Sequence, residues 1–174
     1  MASLKTTYKF AIVIFIGFLI FLADFFNLDK PVANEIVLLI ICIFKSSYFI
    51  WFVFGQIKET THEKFFFHEF ISFIVVSILL VIISYAIDFY CLFRIQAESF
   101  LGLIPKRSII TEFITFFYYS ISVFTTAGFG DVKPNSTTAQ IFVSTELMIA
   151  YCFTILILAN ISNIRESFKK KDLQ

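Results

Sequence analysis

Four long apolar stretches dominate the sequence, at about residues 9–26, 32–54, 65–93 and 141–161. A helix needs about 20 mostly apolar residues to cross the roughly 30 Å hydrocarbon layer of a membrane. The first stretch has no small-residue cleavage site near its end, so we expect it to be retained rather than removed as a signal peptide. The sequence therefore predicts an all-α membrane protein with four transmembrane helices.

The composition agrees with a membrane domain and disfavours other classes. Hydrophobic residues make up 59% of the 174 residues and charged residues 16%, against about 45–50% and about 25% in soluble domains. Because a soluble domain has too much surface to cover with so few charges, a water-soluble enzyme is disfavoured. The net charge of +1 provides no basic field for nucleic acid. The sequence shows no nucleophile–base pair, phosphate loop or metal-ligand cluster, so we expect neither catalysis nor an organic cofactor.

The segment between the third and fourth stretches has a different pattern. Residues 94–110 contain a glycine, a proline and several charges, which is typical of an exposed loop. Residues 111–125 can form a helix that starts at Thr111 and Glu112, but this helix is too short to cross a membrane. A glycine-containing run, TTAGFGDVKP, then leads to the fourth stretch. This order is typical of a re-entrant pore loop, because irregular backbone at membrane depth must be buried or line a water-filled path.

The run at residues 125–131 suits a carbonyl-lined path for a cation. A dehydrated cation must regain oxygen ligands, and rings of backbone carbonyls can supply them. Successive carbonyls point the same way where the backbone alternates between right- and left-handed regions, and the left-handed region is cheap for glycine. Gly128 and Gly130 occupy alternate positions, as this geometry requires. We therefore expect an ion path lined by Thr126, Ala127, Gly128, Phe129 and Gly130, with the Thr126 hydroxyl as its innermost oxygen.

TTAGFGD also resembles the T-x-G-[YF]-G-D selectivity filter of the potassium-channel pore family. Tyr118 and Tyr119 match the aromatic pair of that family's pore helix, and Pro134 matches the proline after the filter. The resemblance covers about residues 68–165. It implies an outer helix, a pore helix, a filter and an inner helix per subunit, in a homotetramer that conducts K⁺ passively.

The resemblance also implies roles for individual residues. K⁺ would bind at Thr126, Ala127, Gly128 and Phe129, while Phe129 would turn its ring away from the path onto the pore helix. The filter would be supported by Thr125, Asp131, Tyr118 and Tyr119, with Asp131 able to hydrogen-bond Tyr118. Near the positions that face the family's inner vestibule lie Thr154, Leu158, Ala159 and Ser162, although their spacing also fits any amphipathic helix.

Three departures from the family pattern keep alternatives open. Ala127 replaces the usual Val or Ile, whose β-branched side chain stiffens the filter, so a weakly selective cation channel is an alternative. Phe129 replaces the commoner Tyr, and the family's hinge glycine aligns near Ala150. An ion-transporter subunit is a further alternative, but such folds usually carry repeated broken helices. A non-conducting structural membrane protein would explain the apolar stretches but not the filter.

Lys45 and Glu146 are ionisable residues that lie well inside the second and fourth apolar stretches. We expect Lys45 to pair with an acid such as Glu35, or to extend its amine to the membrane surface. Since a voltage sensor would need cations at every third position, voltage gating is not predicted. Glu146 is expected to pair locally behind the filter, with tuning of conduction as the alternative.

The sequence predicts three regions. Residues 1–64 hold two helices of unassigned role, residues 65–165 form the pore domain, and residues 166–174 form a basic tail that contacts lipid headgroups. Lys and Arg are more frequent on the side of the two termini. This bias predicts cytoplasmic termini and an extracellular filter mouth. We expect the membrane to be the plasma membrane.

Overall fold

The computed structural model describes residues 31–60, 67–103 and 108–159. The first predicted transmembrane helix, Ser162 and the basic tail lie outside these residues. The division of the chain into three regions stays a prediction.

Four helices and a short two-stranded ribbon make up the described part of the chain. In chain order they are α1 (Pro31–Thr60), α2 (Phe67–Ile95), a 3₁₀ turn (Ala97–Ser99), β1 (Phe100–Leu101), α3 (Ile109–Phe124), β2 (Lys133–Pro134) and α4 (Thr137–Ala159).

The helices agree with the apolar pattern of the sequence. In the described residues, two segments are long and apolar enough to cross a membrane, Ile74–Ile95 within α2 and Thr137–Ala159, which is α4. They correspond to the predicted third and fourth spans, and α1 covers the predicted second one. The predicted short helix is α3, but it begins earlier than expected because Ser108 caps it, accepting a hydrogen bond from the Thr111 amide at 3.3 Å.

An aromatic cluster packs α3 against the C-terminal half of α2. The Phe89 ring lies 5.1 Å from that of Tyr119 and 5.7 Å from that of Phe100, between ring centroids. Phe116 lies 5.2 Å from Phe100 and 5.4 Å from Phe93. Such pairs add about 0.5–1.5 kcal/mol each beyond the burial of their surface. The cluster thereby fixes the short helix that leads into residues 125–131, the predicted filter, which we call the filter.

The ribbon ties the loop before α3 to the segment after the filter. Phe100 pairs with Pro134, and Leu101 pairs with Lys133. The expectation that residues 94–110 form a simple exposed loop is therefore wrong for this stretch, where Ser99 and Phe100 are buried. The apolar pair Phe100 and Leu101 was the sequence signal for the ribbon.

Gly102 follows β1 and lies against Asp131, the last residue of the filter. Its φ is +91°, a conformation that is costly for residues with a side chain. A Cβ on this residue would overlap the carbonyl oxygen of Asp131. Both constraints require glycine here, so the close contact between the loop and Asp131 depends on Gly102.

A buried ion pair joins α1 to α2. The Lys45 amine contacts the Asp88 carboxylate, and both side chains are at most 5% exposed. The amine also lies 3.5 Å from the Ser84 carbonyl oxygen and 4.5 Å from the centroid of the Tyr85 ring. The prediction that Lys45 pairs with Glu35 is therefore wrong. The Glu35 carboxylate instead accepts a hydrogen bond from Thr138 at 2.5 Å.

Hydroxyl groups extend this connection to α4. Tyr85 Oη lies 2.5 Å from Ser46 Oγ of α1 and donates a 3.2 Å hydrogen bond to Thr145 Oγ1 of α4. Cys42 Sγ of α1 lies 3.8 Å from the same Thr145 oxygen. Because lipid is as apolar as a helix surface, packing and such hydrogen bonds hold membrane helices together.

Breaking the ion pair on one side should destabilise the protein. Lys45→Met leaves Asp88 buried without its cation, which typically costs about 3–5 kcal/mol of unfolding free energy. Lys45→Met combined with Asp88→Leu should recover most of that loss, because no buried charge is then unpaired. Thermal unfolding of the detergent-solubilised protein measures both. Equal stability of Lys45→Met and the wild type would contradict the structural role of the pair.

Gly102→Ala should displace the backbone of Asp131 at the C-terminal end of the filter. The added methyl group collides with Asp131 and the backbone conformation is strained, so we expect about 1–3 kcal/mol of lost stability. The matched control is Leu101→Ala, which removes an exposed side chain from the same ribbon. Thermal unfolding of the two variants compares them directly, and equal melting temperatures would contradict the assignment.

Candidate functional site

The backbone between α3 and β2 alternates in the manner predicted for a carbonyl-lined path. Thr126, Gly128 and Gly130 have φ values of +57°, +55° and +77°. The predicted left-handed conformation of Gly128 and Gly130 is thus confirmed. Because every second residue reverses the sign of φ, successive carbonyls can point to one side. The part of these carbonyls in ion binding stays a prediction.

Thr126 extends the alternation beyond the glycines, which the sequence pattern did not indicate. A β-branched residue at positive φ is a steric outlier, and such strain costs about 1–3 kcal/mol. Residues in this state are typically held by their surroundings at functional sites. Here the Thr126 amide donates a 2.9 Å hydrogen bond to the Val123 carbonyl, in the last turn of α3.

The end of α3 anchors the first part of the filter. The Ser122 carbonyl accepts hydrogen bonds from the amides of Ala127 at 3.0 Å and Gly128 at 3.3 Å. Thr125 ends the helix, and its hydroxyl donates a 2.7 Å hydrogen bond to the Ile121 carbonyl. The filter therefore starts from fixed backbone contacts, and Thr125 supports the helix end that supplies them.

Tyr118 and Tyr119, the aromatic pair of α3, contact different parts of the chain: Tyr118 contacts the filter and Tyr119 contacts the core. The ring of Phe129 stacks on that of Tyr118, with centroids 5.9 Å apart and planes at 9°, so Phe129 does pack on the pore helix. Tyr119 instead packs into the core against Phe89 and Phe100. The structure thus brings Tyr118 to the filter and leaves Tyr119 to position α3.

Asp131 joins the filter to Tyr118. The pKa of the Tyr118 phenol is raised by desolvation, and then by a side-chain hydrogen bond with Asp131 and the negative charge of that carboxylate. Asp131 Oδ1 also accepts a 2.9 Å hydrogen bond from the Val132 amide. The carboxylate therefore connects the C-terminal end of the filter to α3.

The loop before α3 braces the segment after the filter, a support that the sequence analysis missed. The Ser99 carbonyl accepts hydrogen bonds from the amides of Asn135 at 2.7 Å and Ser136 at 3.3 Å. The Asn135 side chain donates a 3.0 Å hydrogen bond to the Glu98 carbonyl. Backbone carbonyls of a loop give no sequence signal, so these contacts could not be read from residue types.

Glu146 is buried against the helix that precedes the filter. Its side chain is 0% exposed, and Oε1 accepts a 2.5 Å hydrogen bond from Ser120 of α3. The predicted local pairing is therefore present, with a serine hydroxyl as the partner.

The predicted vestibule residues lie on an exposed face of α4. Thr154, Leu158 and Ala159 are all exposed in the single chain, and the Thr154 hydroxyl donates a 3.0 Å hydrogen bond to the Ala150 carbonyl. Residues 125–131 are also exposed. Among the described residues, no atom lies within 4 Å of a Cβ built on Gly128. The filter and this face of α4 are thus left uncovered by the chain's own described residues.

The comparisons with known proteins agree with this arrangement. A family model described as an ion channel matches residues 77–166, just over half of the chain, from within α2 through the filter and α4. No curated protein and no solved structure matches the chain. The family match is consistent with the resemblance to potassium-channel pores, and the family is not enzymatic. The chain belongs to the ion channel family.

Proposed function

We propose that the chain is one subunit of a homotetramer that conducts K⁺ passively through backbone carbonyls at residues 126–130. The observation that carries this proposal is the alternation of positive φ at Thr126, Gly128 and Gly130, directly after a short helix and before a helix long enough to span a membrane. Ordinary β-turns place positive φ at none, one or two adjacent residues, whereas a row of carbonyl ligands needs positive φ at alternate positions.

K⁺ is the permeant ion that this site suits best. Oxygen ligands from carbonyls replace the hydration shell of K⁺ in potassium-channel filters. We assign the ion positions to Thr126, Ala127, Gly128 and Phe129. The stacking of Phe129 on Tyr118 keeps the ring off the carbonyl side, and the C-terminal end of α3, where the helix dipole is negative, supports a cation near the base of the filter.

The uncovered faces support assembly around an axis. Exposed residues on α4 repeat at helical spacing and include polar and apolar side chains: Gln140, Ser144, Leu147, Tyr151, Thr154 and Leu158. Polar side chains are disfavoured against lipid, so this face suits a water-filled path or a neighbouring subunit. One chain supplies one filter strand, and closed symmetry completes the ring. The number four follows from the resemblance to potassium-channel pores.

The membrane arrangement is part of the proposal. Four helices per subunit cross the plasma membrane among its lipids, both termini lie in the cytoplasm, and Asp131 lies at the extracellular mouth. The excess of Lys and Arg on the side of the termini supports this orientation.

A weakly selective cation channel is the second candidate. Ala127 favours it, because its short and exposed side chain lacks the β-branched bulk that stiffens a filter. Ion-flux measurements separate the two candidates.

Purified protein in liposomes should conduct K⁺ and exclude Na⁺. We expect flux down a K⁺ gradient that a Na⁺ gradient does not replace, and inhibition by Ba²⁺. Equal K⁺ and Na⁺ flux would support the weakly selective channel instead. Gly128→Ala should abolish flux: among the described residues its Cβ meets no atom within 4 Å, so the variant tests the positive φ rather than steric fit.

The assembled protein should have the mass of four subunits. Light scattering of the detergent-solubilised protein, with the detergent contribution subtracted, should give about four times the 20.2 kDa of one chain. The Gly128→Ala variant should have the same assembled mass as the wild type. Its loss of flux would then not be due to a loss of assembly. A monomer or dimer under conditions that preserve flux would contradict the tetramer.

A further inference from the structure

Glu146 is the least exposed Asp, Glu, Lys or Arg side chain among the described residues. One carboxyl oxygen, Oε1, accepts the hydrogen bond from Ser120, while Oε2 has no hydrogen-bond partner in the described part of the chain. The nearby buried cation, Lys45, is paired with Asp88. Glu146 is therefore not part of a direct ion pair in this region.

Such a group is costly to keep inside a membrane protein. Burial of a carboxyl group with an unsatisfied oxygen opposes folding, and an ionisable residue within a membrane span is by default a candidate for function. An apolar side chain would fill the same space without that cost. Packing between α3 and α4 thus gives no reason for a glutamate at this position.

The bond from Glu146 reaches the part of α3 that holds the filter. Ser120 Oγ lies 2.5 Å from Glu146 Oε1 and 2.9 Å from the Ile82 carbonyl oxygen, so α2, α3 and α4 meet at this hydroxyl. Two residues along α3, the Ser122 carbonyl accepts the amides of Ala127 and Gly128. A shift of this helical turn would move the filter backbone directly.

We propose that Glu146 is a positioning residue for selectivity, which acts through Ser120 to fix the last turn of α3 and the filter amides bonded to it. This inference rests on the proposed channel function. The link from α4 supplies rigidity behind the filter, where the small side chain of Ala127 supplies little.

The ratio of K⁺ to Na⁺ permeability, measured from reversal potentials of the full-length protein in planar bilayers, tests this role. Glu146→Ala and Ser120→Ala should each lower the ratio about ten-fold, the size expected from the loss of one buried hydrogen bond. Glu146→Gln keeps an oxygen that accepts from Ser120, so its ratio should stay within about two-fold of the wild type. The double variant Glu146→Ala/Ser120→Ala should be no worse than either single variant, because both remove the same contact.

Ser47→Ala is the matched control. It also removes a serine hydroxyl bonded to a carbonyl, that of Ile43 at 2.8 Å, but on the exposed face of α1. It should leave the permeability ratio unchanged. Light scattering on every variant shows whether the assembly is intact. If Glu146→Ala fails to assemble, the permeability ratio of Ser120→Ala still tests the same hydrogen bond.

The outcomes separate the inference from the proposed function. Wild-type protein that conducts no K⁺ overturns the proposed function, and the inference falls with it. A selective wild type together with an unchanged ratio in Ser120→Ala or Glu146→Ala overturns the inference alone. A Glu146→Gln ratio as low as that of Glu146→Ala also overturns it, because the hydrogen bond would then not be what positions the filter.

Discussion

The filter depends on the two hydrogen bonds that the Ser122 carbonyl accepts. Amides in irregular backbone at membrane depth need acceptors that are not water, and this single carbonyl accepts from both Ala127 and Gly128. With the amides held on the side of α3, alternating positive φ values leave carbonyls free to face the other side. Helix α3 is therefore more than a connection between spans, and the aromatic cluster around Phe89 and Phe116 that fixes it contributes to the geometry of the filter.

The parts of this architecture that follow from local chemistry could be predicted. The two glycines indicated left-handed backbone at Gly128 and Gly130, and both have positive φ. The lengths of the apolar stretches predicted the two described segments that are able to span a membrane. They also showed that α3 is too short to do so. Phe129 was correctly expected to pack on the pore helix, where it stacks on Tyr118. In each case the preference belongs to one residue or to one continuous segment.

The remaining features depend on tertiary contacts that residue types do not reveal. Glu35 is close to Lys45 in sequence, yet the cation pairs with Asp88 on another helix, since membrane helices associate through whichever polar groups their packing brings together. The sequence does not distinguish Gly102 from other loop glycines. Only the packing of its backbone against Asp131 shows that a side chain cannot fit there. Thr126 has a conformation that its own steric preference opposes, and the hydrogen bonds of its own amide and of the next two amides to the end of α3 hold it there.

The buried polar groups and the uncovered faces divide the molecule into two kinds of surface. Lys45 with Asp88, Tyr85 with Thr145, and Ser120 with Glu146 each join two helices inside the chain. Because a half-satisfied polar group is costly in a membrane interior, each pair permits few alternative packings of those helices. Among the described residues, the polar side chains on the exposed face of α4 make no such bond to another helix: Ser144 and Thr154 donate to carbonyls of α4 itself. The fold of the chain is thus specified from within by paired polar groups, while the exposed surface at residues 125–131 and on α4 is left available for the symmetric assembly that we propose.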